Sequence, residues 1–411
     1  MQAPLTAGPN LGMETWQRLR LRAIFDYCKW DSQCGDAGVL AKFPLFLSVG
    51  TLHQLAELAE ALAREALEAE KEILLEPELL MRLSIPTAVR NCLCAAREAK
   101  EAKHVRVMRF DFHYTTQGWL ISEVNADVPG GYVEASGWNA LFAAEQIRSV
   151  APLDPTREYA KAICASVAPG SLIALAHASV YSEDRQVMVH IGRELQRCGM
   201  RVCLINPQNL RWSDDRACLN TSFDSGTPAL VVRLSPAEWL PRCGDSSVWG
   251  PWFGASKTPL SNPGRALILQ SKRFPLVWEA LRSVLPTWRR LLPESRCPSH
   301  VRGIGDQEWV VKPAFGRVGE DVGMPGVTAA DEFRRILVAA RRKPEQWVAQ
   351  RRFEVVPVPT DEGEVFPCIG VYTIDGKFAG LYGRAARSPL VNENALDVAV
   401  LISKGGSESV Q

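Results

Sequence analysis

An excess of charge of one sign is what this sequence most plainly lacks. Its 411 residues carry 47 Lys and Arg against 46 Asp and Glu, a formal net charge of +1. Nucleic-acid binders use a basic surplus to displace counterions, so no nucleic-acid partner is expected. Long apolar runs are missing too. The best, Leu172 to Val180, contains His177 and falls far short of the ~20 residues of a membrane helix. The opening MQAPLTAGPNLG has no basic head followed by an apolar stretch, so no secretory leader is expected. Eleven cysteines are scattered singly apart from Cys92-Leu93-Cys94, and no CxxC pair is present to clamp zinc. The six histidines form no HExxH motif. Reduced thiols in a cytoplasmic protein are the expected use of these cysteines.

What is present reads as a globular chain of two or three domains, with 46% hydrophobic and 23% charged residues. Helical spacing covers residues 14–34. It returns after Gly50, with Thr51 as a cap and Leu55, Leu58, Leu62, Ala63 and Leu67 on one stripe. The charge run from Glu57 to Glu72 is expected to be that helix's solvated face. A further amphipathic stretch spans Thr87 to Ala102. From about Pro155 the pattern is βαβ: a strand at Leu172–Ala176, a helix from Asp184 to Cys198 and a strand at Arg201–Ile205. No GxGxxG fingerprint accompanies it, so dinucleotide binding has no support. The Gly, Pro, Ser and Trp content of residues 244–264 reads as a linker. A helix around Lys272–Val284, strands at Glu308–Val311 and Gln346–Gln350, and a hairpin turning at Asp375-Gly376 follow.

The most informative piece is the alternating pair of strands around residues 105–112 and 119–125. Side chains alternate across a strand, so Arg109 and Asp111 share a face, and so do Glu123 and Asn125. One antiparallel register places Arg109 opposite Asn125 and Asp111 opposite Glu123. Facing carboxylates destabilise a sheet unless positive charge lies between them. Hard oxygen donors on Asp, Glu and Asn suit Mg²⁺; a solvent-facing polar stripe is the other reading of the same pattern. Val105, Val107, Trp119 and Ile121 are expected on this face, and Met108, Phe110, Phe112, Leu120 and Val124 on the other, as in a sheet covered on both sides.

A second constellation runs from Trp309 through Lys312 into a loop holding Gly316, Gly319 and Gly323. Glycine lets backbone N–H groups approach phosphate oxygens, and a lysine at the strand end adds charge. A plain surface loop has the same composition, and no P-loop signature follows. Trp347 to Gln350 is a short apolar strand. Arg384 and Arg387 lie near Asn392-Glu393-Asn394, where an arginine can hold a phosphate or carboxylate.

Together these pieces resemble the synthetase domain of glutathionylspermidine synthase and its relatives. The resemblance runs from Trp16 to Ile402 through Lys29-Trp30-Asp31, Arg109-x-Asp111, Glu123-Val124-Asn125-Ala126-Asp127, Pro129, Glu134, Lys272, Lys312-Pro313-Ala314, Gln350 and Gly383-Arg384. It implies an α+β, circularly permuted ATP-grasp fold with a Rossmann-like pre-ATP-grasp subdomain. The implied division is 1–150 (helices and Mg²⁺-binding strands), 151–265 (Rossmann-like) and 266–411 (lid and C-terminal strands). It further implies ATP and Mg²⁺ as cofactors, with Mg²⁺ on Asp111, Glu123 and Asn125 and Arg109 stabilising the transferring phosphoryl group. Lys272 and Lys312 would meet ATP phosphates under a Gly316–Gly323 lid whose Gly316 and Gly319 bind ATP, the Gln350 strand would meet adenine, and Arg384 would bind an anion. The implied reaction joins a small-molecule or peptide carboxylate to an amine through an acyl phosphate, releasing ADP and phosphate.

Val128-Pro129-Gly130-Gly131-Tyr132 departs from the hydroxyl residues with which the polyamine–glutathione enzymes hold their peptide, which places glutathione in question as the substrate. The chain is expected to carry the synthetase activity without an amidase domain. A nucleotide-binding homologue that has kept the fold without catalysis is the alternative. Nothing in the pattern sets an oligomeric state.

Overall fold

The acidic hairpin forms where the alternation demands it. In the computed structural model, which describes residues 3–96, 103–146, 149–220, 225–240, 249–316 and 319–404, the strands are Val107–Thr115 and Gly118–Asn125. Arg109 faces Asn125 and Asp111 faces Glu123. Immediately afterwards the register shifts, with Phe112 opposite Ile121, so Ser122 is the extra residue of a β-bulge. That bulge corrects the expected faces. Trp119 and Ile121 turn away from the acidic side and join Phe110, Phe112 and Val124 in the main core, whereas Val105 and Val107 belong to a second core.

The hairpin forms one end of a nine-stranded sheet. In spatial order the path is Leu5–Ala7, Leu40–Leu47, Leu396–Ser403, Lys377–Ala386, Gly363–Ile374, Val107–Thr115 and Gly118–Asn125. Strands from near both chain ends thus meet in one sheet. Its long hairpin turns at Asp375-Gly376, both at positive φ (48° and 78°), as a tight two-residue turn requires. A four-stranded parallel sheet, ordered Leu260–Ser261, Leu230–Arg233, Leu172–Ala176 and Arg201–Ile205, contains the expected βαβ unit, with its helix at Ser182–Arg197. Trp309–Pro313 and Ser295–Arg296 flank Trp347–Arg351 in a third, three-stranded sheet.

Several element boundaries differ from the sequence reading for identifiable reasons. The first helix, Met13–Tyr27, ends early because Cys28 adopts a left-handed conformation. The long helix, Val49–Leu75, is capped by Ser48, whose side chain accepts from the Thr51 N–H, rather than by Thr51. The amphipathic stretch from Thr87 is helical over Thr87–Ala96; its remainder lies outside the described residues. Pro275 and short-range bonding leave a 3-10 turn at Phe274–Ala280 in place of the helix expected there. Of residues 244–264, those from 249 onward form no linker. Trp249, Trp252 and Phe253 are buried and Leu260–Ser261 extends the parallel sheet, because such large aromatics gain more from burial than from solvent.

The charge run on the long helix is a solvated face only in part: Glu57, Arg64, Glu68 and Lys71 are exposed, while four other glutamates are engaged by distant segments. Glu60 accepts from the Phe378 N–H at 3.0 Å, and Glu72 accepts from the N–H groups of Arg282 (2.7 Å) and Ser283 (3.0 Å). Buried Glu70 pairs with Arg106 at 2.6 Å and Arg265 at 3.2 Å. Glu65 accepts from Thr287 N (3.0 Å) and Trp288 N (3.2 Å), which caps the separate helix Pro286–Leu291 from across the core. Glu60, Glu65 and Glu72 satisfy backbone donors of other segments and Glu70 pairs with two arginines; Glu65 and Glu70 are buried, Glu60 and Glu72 half-buried. Glu65→Ala leaves buried N–H groups without a partner and is expected to cost about 1–3 kcal/mol in denaturant unfolding. The same change at exposed Glu57 should stay within about 0.5 kcal/mol.

Candidate active site

The bulge that repacks Trp119 also builds the site. Its extra residue frees the Ser122 carbonyl, which accepts from Lys312 Nζ at 3.3 Å. Lys312 comes from the three-stranded sheet, so this bond ties that sheet to the acidic hairpin. Lys312 also donates to Gln350 Oε1 on the adjacent strand at 2.7 Å. Lys272, entering from the loop after the short helix Leu267–Gln270, lies 3.1 Å from Glu123 Oε2 and donates to the Gly316 carbonyl at 2.9 Å.

On the hairpin itself, Arg109 grips Asp111 through Nε and one arm, Nη2, at 2.8 and 3.1 Å. Its remaining arm donates to the Gly130 carbonyl at 2.8 Å, and Asn125 donates to Asp111 Oδ2 at 3.0 Å. Three cations therefore face two carboxylates. Burial opposes ionisation of Glu123, but Lys272 and Lys312 outweigh it and hold the carboxyl below its usual range. Burial depresses Lys312, as does Lys272, while Glu123 raises it; the ammonium is lowered to about 8. Burial and Lys312 together bring His113 down to about 4.

Arg109, Asp111, Glu123, Asn125, Lys272, Lys312, Gly316, Gly319, Gln350 and Arg384, the ten residues to which the resemblance assigns a role, all line one cavity of about 780 Å³. Arg109, Asp111, Glu123 and Asn125 supply one wall, and Lys272, Lys312 and Gln350 stand opposite. Gly316 and Gly319 belong to the loop over it; Arg317 and Val318 lie outside the described residues. Gly319 sits at φ +72°, and a Cβ there would come within 2.6 Å of the Val391 carbonyl, so the close approach needs glycine. Strands pair on both sides of Gln350, and what it offers the cavity is its side chain, already engaged with Lys312. Arg384 is half-buried and donates to the carbonyls of Asn392 (2.7 Å) and Ala395 (3.3 Å).

Other residues that shape the site escaped the sequence reading. Asn262 donates to the carbonyls of Val107, Ala126 and Asp127 (2.7–3.0 Å) and accepts from Val107 N at 2.8 Å. Gln270 accepts from the N–H groups of Ala126 (2.9 Å) and Asp127 (3.1 Å). The Asp127 carboxylate, fully buried, pairs with Arg233 of the parallel sheet. Every polar group of the peptide following Asn125 is thereby fixed. At the far end of the cavity Lys29 lies within 2.8 Å of Asp31 and 3.0 Å of Asp397, and also pairs with Glu134. Burial opposes its charge, yet the surrounding carboxylates hold Lys29 well above its usual value. Burial, Asp397 and Asp31 keep Glu134 above its usual range. Lys29, Asp31 and Glu134 had a signal in the resemblance; Asn262, Gln270 and Asp397 had none in the local pattern.

Among the described residues, no three His, Cys, Asp or Glu side chains converge as a metal cluster, and no helix is long and apolar enough to cross a membrane. A mixed α+β architecture with lysines aimed across a cavity at an acidic hairpin fits the ATP-grasp-like ligases. The glutathionylspermidine synthase preATP-grasp family matches residues 39–403, and the chain belongs to that family. A solved structure of a glutathione synthetase-like effector from Globodera pallida, in its apo form, shares the fold. The match covers 97% of this chain and 98% of that one at 12% identity, with a TM-score of 0.65. A putative gamma-glutamylcysteine synthetase from Methylobacillus flagellatus is more distant, with 80% and 86% coverage, 14% identity and a TM-score of 0.42. No curated protein matches.

The lowered Lys312 makes a pH dependence visible. An anionic ligand favours the protonated lysine, so the affinity of this cavity for a polyphosphate should be flat up to about pH 8 and fall above it as the free protein loses that proton. Calorimetric titration between pH 7 and 9.5 checks this. Lys312→Met should bind more weakly and lose the decline.

Proposed function

We propose that this chain is an ATP- and Mg²⁺-dependent ligase that joins a carboxylate to an amine through an acyl phosphate and releases ADP and phosphate. The observation that carries the reading is the charge layout: Arg109, Lys272 and Lys312 converge on one cavity wall-to-wall with Asp111 and Glu123. Around the acidic hairpin these three cations outnumber the two carboxylates, a local layout that suits a polyphosphate. Arg109 presents a planar fork where charge spreads over phosphoryl oxygens in the transition state. Lys272 and Lys312 bind phosphate oxygens, and Gln350 orients Lys312. The glycine loop shields the acyl phosphate from water. Arg384 serves as an anion-binding arginine. In this reading the chain order is that of a circularly permuted ATP-grasp protein divided at about 150 and 265, with a cytoplasmic setting.

Asp111, Glu123 and Asn125 fit Mg²⁺ by donor type, being two opposed carboxylates and a carboxamide on one face. Bound there, the ion neutralises charge on transferring phosphoryl oxygens. Both carboxylates are engaged by Arg109 and Lys272, so the cation and the nucleotide should bind together. Mg²⁺ alone should leave thermal stability unchanged, whereas Mg²⁺ with a non-hydrolysable ATP analogue raises it. The departure at Val128-Pro129-Gly130-Gly131-Tyr132, where the Gly130 carbonyl is occupied by Arg109 and Tyr372, supports an acid other than glutathione.

Turnover against a panel of acids and amines tests the reaction. ADP and phosphate are the expected products; AMP and pyrophosphate would refute the acyl phosphate. Arg109→Lys should lower kcat by about 10²–10³-fold with ATP affinity little changed. Glu123→Ala should abolish turnover in a folded protein. The second reading, a nucleotide-binding homologue without catalysis, draws on Arg109's two-bond grip on Asp111. Nucleotide-dependent stabilisation without any substrate-stimulated ATP consumption would favour it.

A further inference from the structure

Arg109 is held by more than its carboxylate partner. On the nine-stranded sheet Asp111 pairs with Gly370, and Gly370 pairs in turn with Tyr382. The three form one cross-strand row with a glycine in the middle. The Arg109 side chain fills the gap this glycine leaves. A Cβ built on Gly370 would stand 2.7 Å from Arg109 Cδ and 3.0 Å from Nε. The arginine thus crosses the sheet over Gly370, gripping Asp111 while its Cζ lies 5.0 Å from the centroid of the Tyr382 ring.

Tyr382 is itself immobilised. Its hydroxyl donates to Asp397 Oδ1 at 2.7 Å, and Asp397 pairs with Lys29 at 3.0 Å. Gly131, at φ +87°, lies against the ring on another side, where a Cβ would come within 3.0 Å. The adjoining Gly130 carbonyl accepts from both Arg109 and Tyr372. The Asp111 fork sets the direction of the guanidinium within its plane. A cation lying against an aromatic ring resists tilting out of that arrangement.

We infer that Gly370 and Tyr382 are positioning residues for Arg109, the glycine opening the slot and the ring setting the tilt of the guanidinium. The inference rests on Arg109 acting at the transferring phosphoryl group, where a misplacement of about 1 Å can cost 10²-fold in rate. Removing the ring should therefore affect the chemical step more than nucleotide binding. Gly370→Ala should displace Arg109 directly.

The experiment compares Tyr382→Leu, Tyr382→Phe and Gly370→Ala in the full chain, with thermal unfolding to establish that each is folded. Tyr382→Leu and Gly370→Ala should lower kcat at least tenfold with KM for ATP within about twofold. Tyr382→Phe, which keeps the ring but loses the bond to Asp397, should recover turnover to within about threefold of the wild type. A second readout needs no substrate: the ¹⁵Nε–H signal of Arg109, assigned by its loss in Arg109→Lys. It should remain sharp in Tyr382→Phe and move toward the free-arginine position, with faster solvent exchange, in Tyr382→Leu. Wild-type signal and turnover in Tyr382→Leu would overturn the inference. So would a Phe variant as impaired as the Leu variant, since the hydroxyl rather than the ring would then be responsible. If no substrate is turned over, the reaction reading fails and the arginine signal alone decides this inference.

Discussion

Asp111 and Glu123 stand directly opposite each other on a largely buried hairpin, and the rest of the molecule is arranged around making that arrangement stable. Facing carboxylates repel, and a low-dielectric setting strengthens the repulsion. The compensation comes from three places in the chain. Arg109 lies on the same strand as Asp111, Lys272 follows a short helix that packs behind the hairpin, and Lys312 ends a strand of another sheet. Each cation is also bonded to a fixed acceptor: the Gly130 carbonyl, the Gly316 carbonyl, or Gln350. The site is consequently preorganised by the same contacts that join the sheets.

That coupling explains the dense polar network behind the hairpin. Asn262 and Gln270 hold the backbone just beyond Asn125, and Asp127 reaches Arg233 in the parallel sheet. A buried ion pair of this kind contributes little net stability, but leaving one partner alone is costly. Its value lies in geometry: the parallel sheet can shift against the hairpin only by breaking several buried bonds together. The long helix acts similarly on the opposite side, where Glu60, Glu65, Glu70 and Glu72 cap or pair with segments far away in sequence.

Much of the site is legible in the sequence. The register of the hairpin follows from strict alternation on both strands, and the glycine spacing after Lys312 announces a loop that approaches its neighbours closely. Lys272, by contrast, entered only through the family resemblance, because a single lysine at the start of an irregular segment has no pattern of its own. The bulge at Ser122 was invisible: an extra residue changes which side chains face the core without changing composition. For the same reason Trp119 and Ile121 were assigned to the wrong face. The glutamates of the long helix misled because a helix shows its charge in the sequence but not the orphan N–H groups that other segments bring to it.

By itself the sequence determined what depends on neighbours along the chain. These are the periods of the acidic hairpin, the long helix and the βαβ unit, the pairing of Arg109 with Asn125 and of Asp111 with Glu123, the Asp375-Gly376 turn and the grouping of those four polar residues. Tertiary structure alone decided what depends on distance in space. It brought Lys272 to Glu123 and Lys312 to the Ser122 carbonyl, paired Gln350 with Lys312, and placed Tyr382 against Arg109 beside the gap at Gly370. Periodicity encodes only the direction in which a side chain points, whereas its partner is set by how separate sheets pack, and that packing is a property of the whole core.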